Sequence, residues 1–194
     1  MNKDILSSYV LAFDEINALT STSYKSAGGD VSRIADDILS FLINAYTLGI
    51  KAVSQMLAYE ITVDVSKMND AIYTVIDGKT FEDRIADHVN AGDLAGLQTL
   101  AESEFHRVYN TATDDGAKSF SSSVGYGVNK TWVTVGDDKV RDTHRYLEQI
   151  SVGLDEEFYT YDGDHASYPG GFTKAENNVG CRCIVEYRMD AEQE

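Results

Sequence analysis

Proline occurs once in the 194 residues, at Pro169, and cysteine twice, at Cys181 and Cys183. Two cysteines one residue apart cannot build the framework of bridges on which small secreted domains rely, so a reducing compartment fits best. Basic residues are also scarce: 16 Lys and Arg against 32 Asp and Glu give a formal net charge of −16. The excess runs along the whole chain, with 9 bases and 18 acids in residues 1–120 and 7 and 14 in residues 121–194. Without a basic half, the side chains that release counterions from a phosphate backbone are missing, which argues against autonomous nucleic-acid binding and against docking on an anionic membrane. No apolar run approaches the roughly 18 residues of a membrane span. The opening MNKDILSSYVLAFDE has no uninterrupted apolar stretch of signal-peptide length, and the chain is expected to stay in the cytoplasm of the cell that makes it. Phosphate loops, dinucleotide fingerprints and His-Glu-x-x-His are all absent.

What is present is the composition of a globular chain. Hydrophobic residues make up 43% and charged residues 25%, enough for a packed core in one sizeable domain or two small ones sharing a core. Within residues 30–60, Ile34, Ile38, Phe41, Leu42, Ala45, Leu48, Ala52, Val53, Met56 and Leu57 recur at three-and-four spacing, which predicts a long amphipathic helix of about 45 Å behind an Asp30 N-cap. An earlier helix is drawn from Lys3 to Leu19, ending before Thr20-Ser21-Thr22-Ser23. Val65 to Ile76 reads as a short helix, and Thr80-Phe81-Glu82-Asp83 as a capping box that starts another at Phe81. After a break at Asn90-Ala91-Gly92, a further helical run carries Leu94, Leu97, Leu100, Ala101, Phe105, Val108 and Ala112, with a change of texture beyond Asp115-Gly116.

The remainder is mixed. Lys130 to Val135 reads as a strand, Lys139 to Gln149 as a helix, and Ile150 to Leu154 and Phe158 to Tyr161 as short strands. Residues 162–180 form a glycine-rich loop, within which Asp162-Gly163-Asp164 is a solvated turn rather than a calcium loop. Cys181 to Tyr187 alternates as a final strand before a polar tail. The expected fold class is therefore α+β, with residues 1–120 a helical bundle or hairpin and residues 121–194 a small α/β domain with a short, mainly antiparallel sheet.

Cys181-Arg182-Cys183 is the sharpest local feature. On a strand, side chains at i and i+2 face one volume, where two thiols are poorly placed to bridge each other but suit a soft cation such as zinc. His144 is the natural third ligand, with His165, Asp142 or Asp164 available as a fourth. The same residues also suit a packed role, as two small buried cysteines and a core histidine. Asp137, Asp138, Arg141, Asp142, His144 and Arg145 crowd one helix start, yet Asp142 and His144 are two apart and point in different directions on a helix, so no acid–base couple is expected. No catalytic residue is assigned.

Read in order, the C-terminal third gives Lys130-Thr131-Trp132, then Asp137 to His144, then Val152-Gly153-Leu154-Asp155 with Phe158. Asp162-Gly163-Asp164, Tyr168-Pro169-Gly170 and Cys181-Arg182-Cys183 follow. This series resembles the phage head morphogenesis or minor capsid proteins, the family named for its likeness to phage Mu protein F, across about residues 120–188. Thr80 to Ile85 and Glu102-Ser103-Glu104 are similar to the helical region that precedes that domain. The resemblance implies a non-enzymatic minor component of a virion or procapsid, placed near the portal vertex and assisting assembly or genome delivery. Its implied partners are a portal or coat protein or another copy of itself in a homo-oligomer. The family usually carries Asn immediately before Cys-Arg-Cys; Gly180 stands there instead, which moves the anchoring of the loop to Asn177 or Asn178. The competing reading is a metal-dependent hydrolase or toxin-like enzyme using His144, Cys181 and Cys183 with an open coordination position. A third is an adaptor that dimerises through residues 30–60.

Overall fold

Short-range chemistry sets most helix starts in the first half of the chain. In the computed structural model, which describes residues 3–190, α1 (Lys3–Ala27) and α2 (Val31–Leu57) form a hairpin across Gly28 and Gly29, both at positive φ. The Asp30 carboxylate accepts from the Arg33 N–H at 3.1 Å and caps α2, as its sequence predicts. α1 runs eight residues beyond Leu19, where the serine and threonine run was expected to end it. The Thr20 and Thr22 hydroxyls donate to the carbonyls of Ile16 and Ala18, and Ser23 donates to Asp37 of α2 at 2.5 Å, so these side chains satisfy themselves inside the helix.

Asp64 caps the short α3 (Val65–Ile72). α4 (Phe81–Asn90) opens on the anticipated capping box, with Asp83 N–H donating to the Thr80 hydroxyl and the Thr80 N–H to the Asp83 carboxylate. α5 (Leu94–Val124) is the longest element, 31 residues, and passes straight through Asp114-Asp115-Gly116 to the αL cap Gly125. Tertiary partners explain the continuation: Asp114 pairs with Lys118 at 2.7 Å, Asp115 accepts from the Tyr46 hydroxyl at 2.9 Å, and Gly116 faces Val53 of α2.

The C-terminal part contains β1 (Val128–Val133), α6 (Asp142–Leu147), β2 (Ser151–Gly153), β3 (Phe158–Tyr159), β4 (His165–Ala166), α7 (Ala175–Asn178) and β5 (Ile184–Met189). β1 is the central strand of an antiparallel sheet ordered β2-β1-β5, with Trp132 opposite Val185 and Lys130 opposite Tyr187 and Val152. β3 and β4 form a separate small hairpin. The fold class is α+β, as expected. The residues after Asp190, where a polar tail was read, lie outside the described part.

Two hydrophobic cores result. One joins α1, α2, α4 and α5 through Tyr9, Ile16, Ile38, Leu42, Ile85, Phe105 and Tyr109. The other gathers Trp132, Leu147, Phe158, Phe172, Cys181, Cys183 and Tyr187 against Val53, Leu57, Ala117 and Phe120. α2 and α5 supply side chains to both, so the two cores share a scaffold. No described helix is long and apolar enough to cross a membrane.

Candidate metal centre

The Cys181-Arg182-Cys183 segment is extended but lies just before β5, which begins at Ile184 rather than at Cys181 as expected. Its shape comes from local bonds: Gly180 turns the chain at φ 69°, the Cys181 N–H donates to the Asn178 carbonyl at 3.1 Å, and the Cys183 N–H points at the Cys181 sulfur at 3.4 Å. Both thiols are buried and unbridged.

α6 brings the third donor. His144 is buried, stacked on Phe172 at 5.3 Å and edge-on to Trp132 at 5.4 Å, and its Nδ1 lies 3.4 Å from each cysteine sulfur. The three donor atoms lie within 4.8 Å of one another. In a tetrahedral zinc site with Zn–S near 2.3 Å and Zn–N near 2.0–2.1 Å, an imidazole nitrogen and a thiolate sulfur stand about 3.6 Å apart. The spacing therefore fits a soft or borderline cation.

Polar groups around the sulfurs favour thiolates. Burial opposes charge on Cys181, but hydrogen bonding with Cys183, the charge and hydrogen bonding of His106, and His144 outweigh it and hold its pKa well below the ordinary thiol value. Cys183 is pushed up by its bond to Cys181 and by burial, against opposing effects of the Trp132 indole N–H and Arg141. One proton is thus shared between two sulfurs, and a divalent cation would displace it. A cavity of about 10 Å³ borders the cluster, lined among others by Val135, Val140 and Arg141, with room for about one water.

The anticipated fourth ligands lie elsewhere. His165 packs on Tyr159 and sits 2.8 Å from the Glu157 carboxylate. Asp142 is exposed beside Arg145 at 3.5 Å. Asp164 is buried rather than solvated: its carboxylate accepts from the Thr173 hydroxyl at 2.6 Å, the Asn177 amide at 2.7 Å and the backbone N–H groups of His165, Thr173 and Lys174. Asn177 and Asn178 do anchor the loop, the first through Asp164 and Thr143, the second through both backbone groups of Phe172.

Nor does the helix start hold an acid–base couple. Asp137 accepts two bonds from Arg182 at 2.7 and 2.9 Å, Arg145 donates to the Asp138 carbonyl, and Arg141 donates to the Val179 carbonyl at 2.6 Å. His144 Nε2 has no hydrogen-bond partner among the described residues. His106 of α5 borders Cys181 and carried no sequence signal, since a single histidine inside a helix has no diagnostic spacing.

Comparison with known proteins places this geometry in context. The family model described as Phage Mu protein F like protein matches residues 66–186. A minor head protein, GP7 of Bacillus phage SPP1, is 29% identical over 99 residues, covering 51% of this chain and 32% of that protein. An NAD(+)–arginine ADP-ribosyltransferase, EFV of Enterococcus faecalis (strain ATCC 700802 / V583), is 28% identical over 155 residues, covering 78% of this chain and 31% of that protein. The chain thus spans about a third of the length of each of these curated relatives. No solved structure matches it.

Proposed function

Because the chain belongs to the Phage Mu protein F like family of phage head morphogenesis proteins, we propose that it is a minor head component that binds a portal or coat protein during procapsid assembly. Residues 1–120 are the assembly or partner-binding part in this reading, and residues 121–194 are the family's α/β part. Its role is structural, and it resides in the virion or procapsid interior after synthesis in the host cytoplasm. The net charge of −16 suits a protein that works beside packaged DNA without adhering to it.

His144, Cys181 and Cys183 hold a structural zinc in this reading. When bound, the ion would neutralise the thiolates and tie α6 to the segment that leads into β5. The observation behind a structural rather than catalytic site is enclosure: all three donors are buried, and the adjoining cavity of about 10 Å³ admits about one water but no substrate.

The transferase relative favours a second reading, in which the chain carries enzymatic activity of its own. The stretch shared with this chain is 31% of the transferase and 32% of the head protein. A module common to proteins of such different names suits a shared placement role better than a shared reaction.

Native mass spectrometry of the chain captured from cells making the phage structural proteins tests the proposal. Co-capture with portal or coat protein is the expected result. A solitary chain that cleaves NAD or labels arginine would overturn it in favour of the transferase reading.

A further inference from the structure

We propose that His106 completes the metal centre as its fourth protein ligand, so that the ion is closed off by two histidines and two cysteines and fastens α5 to the C-terminal sheet. This rests on the reading of His144, Cys181 and Cys183 as metal ligands, and it adds a residue from the helical half of the chain.

Three observations carry it. His106 is buried at 1% exposure and its ring borders the Cys181 sulfur, close enough for its charge and hydrogen bonding to act on that thiol. Its Nε2 has no hydrogen-bond partner among the described residues, an arrangement that needs an explanation for a buried polar atom. The other ring nitrogen is already held: Nδ1 lies 2.7 Å from the Tyr9 hydroxyl and 3.2 Å from the Asn110 amide.

That division of labour is the one metal-bound histidines use. A ligating imidazole places its remaining N–H on an outer partner, which fixes the ring and the tautomer. With Nδ1–H donating to the Tyr9 hydroxyl oxygen, Nε2 presents its lone pair. Gly170, where a Cβ would come within 3.1 Å of the ring Cδ2 and 3.5 Å of Nε2, lets the loop close over the same edge. His106 stands outside the mutual 4.8 Å that groups the other three donors, so ligation requires a closing movement of its ring toward the sulfurs. A chain of contacts then runs from Tyr9 on α1 through His106 on α5 to Cys181, and the metal couples the two cores.

The test uses the full chain loaded with Co(II) or Zn(II). X-ray absorption of the zinc form is expected to give two sulfur and two nitrogen ligands, and the cobalt form the intense visible bands of a tetrahedral site. His106→Cys should raise the thiolate-to-cobalt charge-transfer band from that of two sulfurs to that of three. His106→Ala should weaken zinc binding by more than the roughly 10- to 100-fold that outer partners of a ligand cost. His165→Ala should leave band and affinity unchanged. One nitrogen plus a water oxygen in the wild-type zinc form would overturn the assignment of His106 while keeping the three-residue site. So would a His106→Cys protein with an unaltered charge-transfer band. Failure of the reduced wild-type chain to bind either ion would overturn the underlying metal reading as well.

Discussion

Gly49 of α2 lies so close to Tyr109 of α5 that a Cβ on the glycine would stand 2.6 Å from the Tyr109 carbonyl oxygen. The same Cβ would meet the Ala112 Cβ at 2.7 Å, and one turn-pair further on a Cβ at Gly116 would meet Val53 Cγ1 at 2.5 Å. The two helices that carry both cores therefore approach through hydrogen atoms alone. Gly49→Ala should destabilise the protein by about 1–3 kcal/mol through overpacking, exceeding the roughly 0.5–1 kcal/mol gained from helix propensity. Gly116→Ala should cost less, because a valine side chain can shift where a carbonyl cannot, and Val53→Ala should partly restore it. Thermal denaturation checks the order; an unchanged midpoint for Gly49→Ala would mean that the helices separate without cost.

Glu104 of α5 is buried between two arginines, accepting from Arg84 at 2.7 Å and from Arg107 at 2.7 and 3.2 Å, while Arg107 also donates to the Ala71 carbonyl. Burial opposes its charge, but Arg107 and Arg84 prevail and hold its pKa below the ordinary carboxylate value. Glu104→Gln leaves two guanidinium groups facing a neutral amide and should cost about 3–5 kcal/mol at pH 7. A folded pKa below the unfolded one means that the charged carboxylate stabilises above the usual range and ceases to as pH falls through the lowered value. Urea melts of both proteins should converge as the solution is acidified, and a constant gap would refute the electrostatic account.

Asp164 organises the loop over which His144 stacks. Burial works against its charge, yet the Thr173 hydroxyl, the Asn177 amide and the backbone N–H groups of Lys174 and His165 bring its pKa down to about 2. The loop should therefore be fully held above pH 4 and released as pH falls from about 4 toward 2. Asp164→Asn should cost about 1.5–3 kcal/mol, the worth of a hydrogen bond to a charged group. Amide exchange at Thr173 and Lys174 should accelerate while α2 remains protected. Equal acceleration in α2 would show that the loop does not open by itself.

Lys130, in the centre of β1, is fully buried, and its Nζ lies 5.7 Å from the Phe158 ring without a hydrogen-bond partner among the described residues. Burial lowers its pKa, so the protonated amine is disfavoured in the folded state and the penalty is present at neutral pH, fading as pH rises toward the ordinary lysine value. Lys130→Met should stabilise the fold by about 1 kcal/mol or more. A lower denaturation midpoint would instead assign the amine a stabilising partner.

Much of the helical half was legible because its signals are local. Periodicity over residues 30–60 matches α2, and the Thr80 to Asp83 spacing matches the start of α4. The cluster of His144, Cys181 and Cys183 also follows from residue type and order, although the cysteines precede the strand on which they were expected. What escaped depends on partners distant in sequence. Gly116 looks like a helix breaker until Val53 is seen against it, and Thr20 and Ser23 look like an ending until their hydroxyls find Ile16 and Asp37. Asp164 resembles a surface turn because the groups that satisfy it lie 9 to 13 residues further on. His106 is silent for the same reason, its neighbours Tyr9 and Cys181 being near it only in the folded chain.

The placement of β1 between β2 and β5 also sets a timetable for synthesis. β2 follows β1 closely, but β5 begins about 50 residues after β1 ends, which at 5–20 residues per second leaves one edge of β1 open for roughly 3–10 s. During that interval the nascent strand Val128–Val133 presents Trp132 and unpaired backbone groups to any neighbouring chain. A lysine in the middle of such an edge is the residue type that discourages edge-to-edge pairing. Lys130 therefore guards the growing chain at a moment when it is still in water, and the stability it costs after burial is the residue of that earlier service. The Lys130→Met protein should be harder to melt once folded and harder to obtain in folded form.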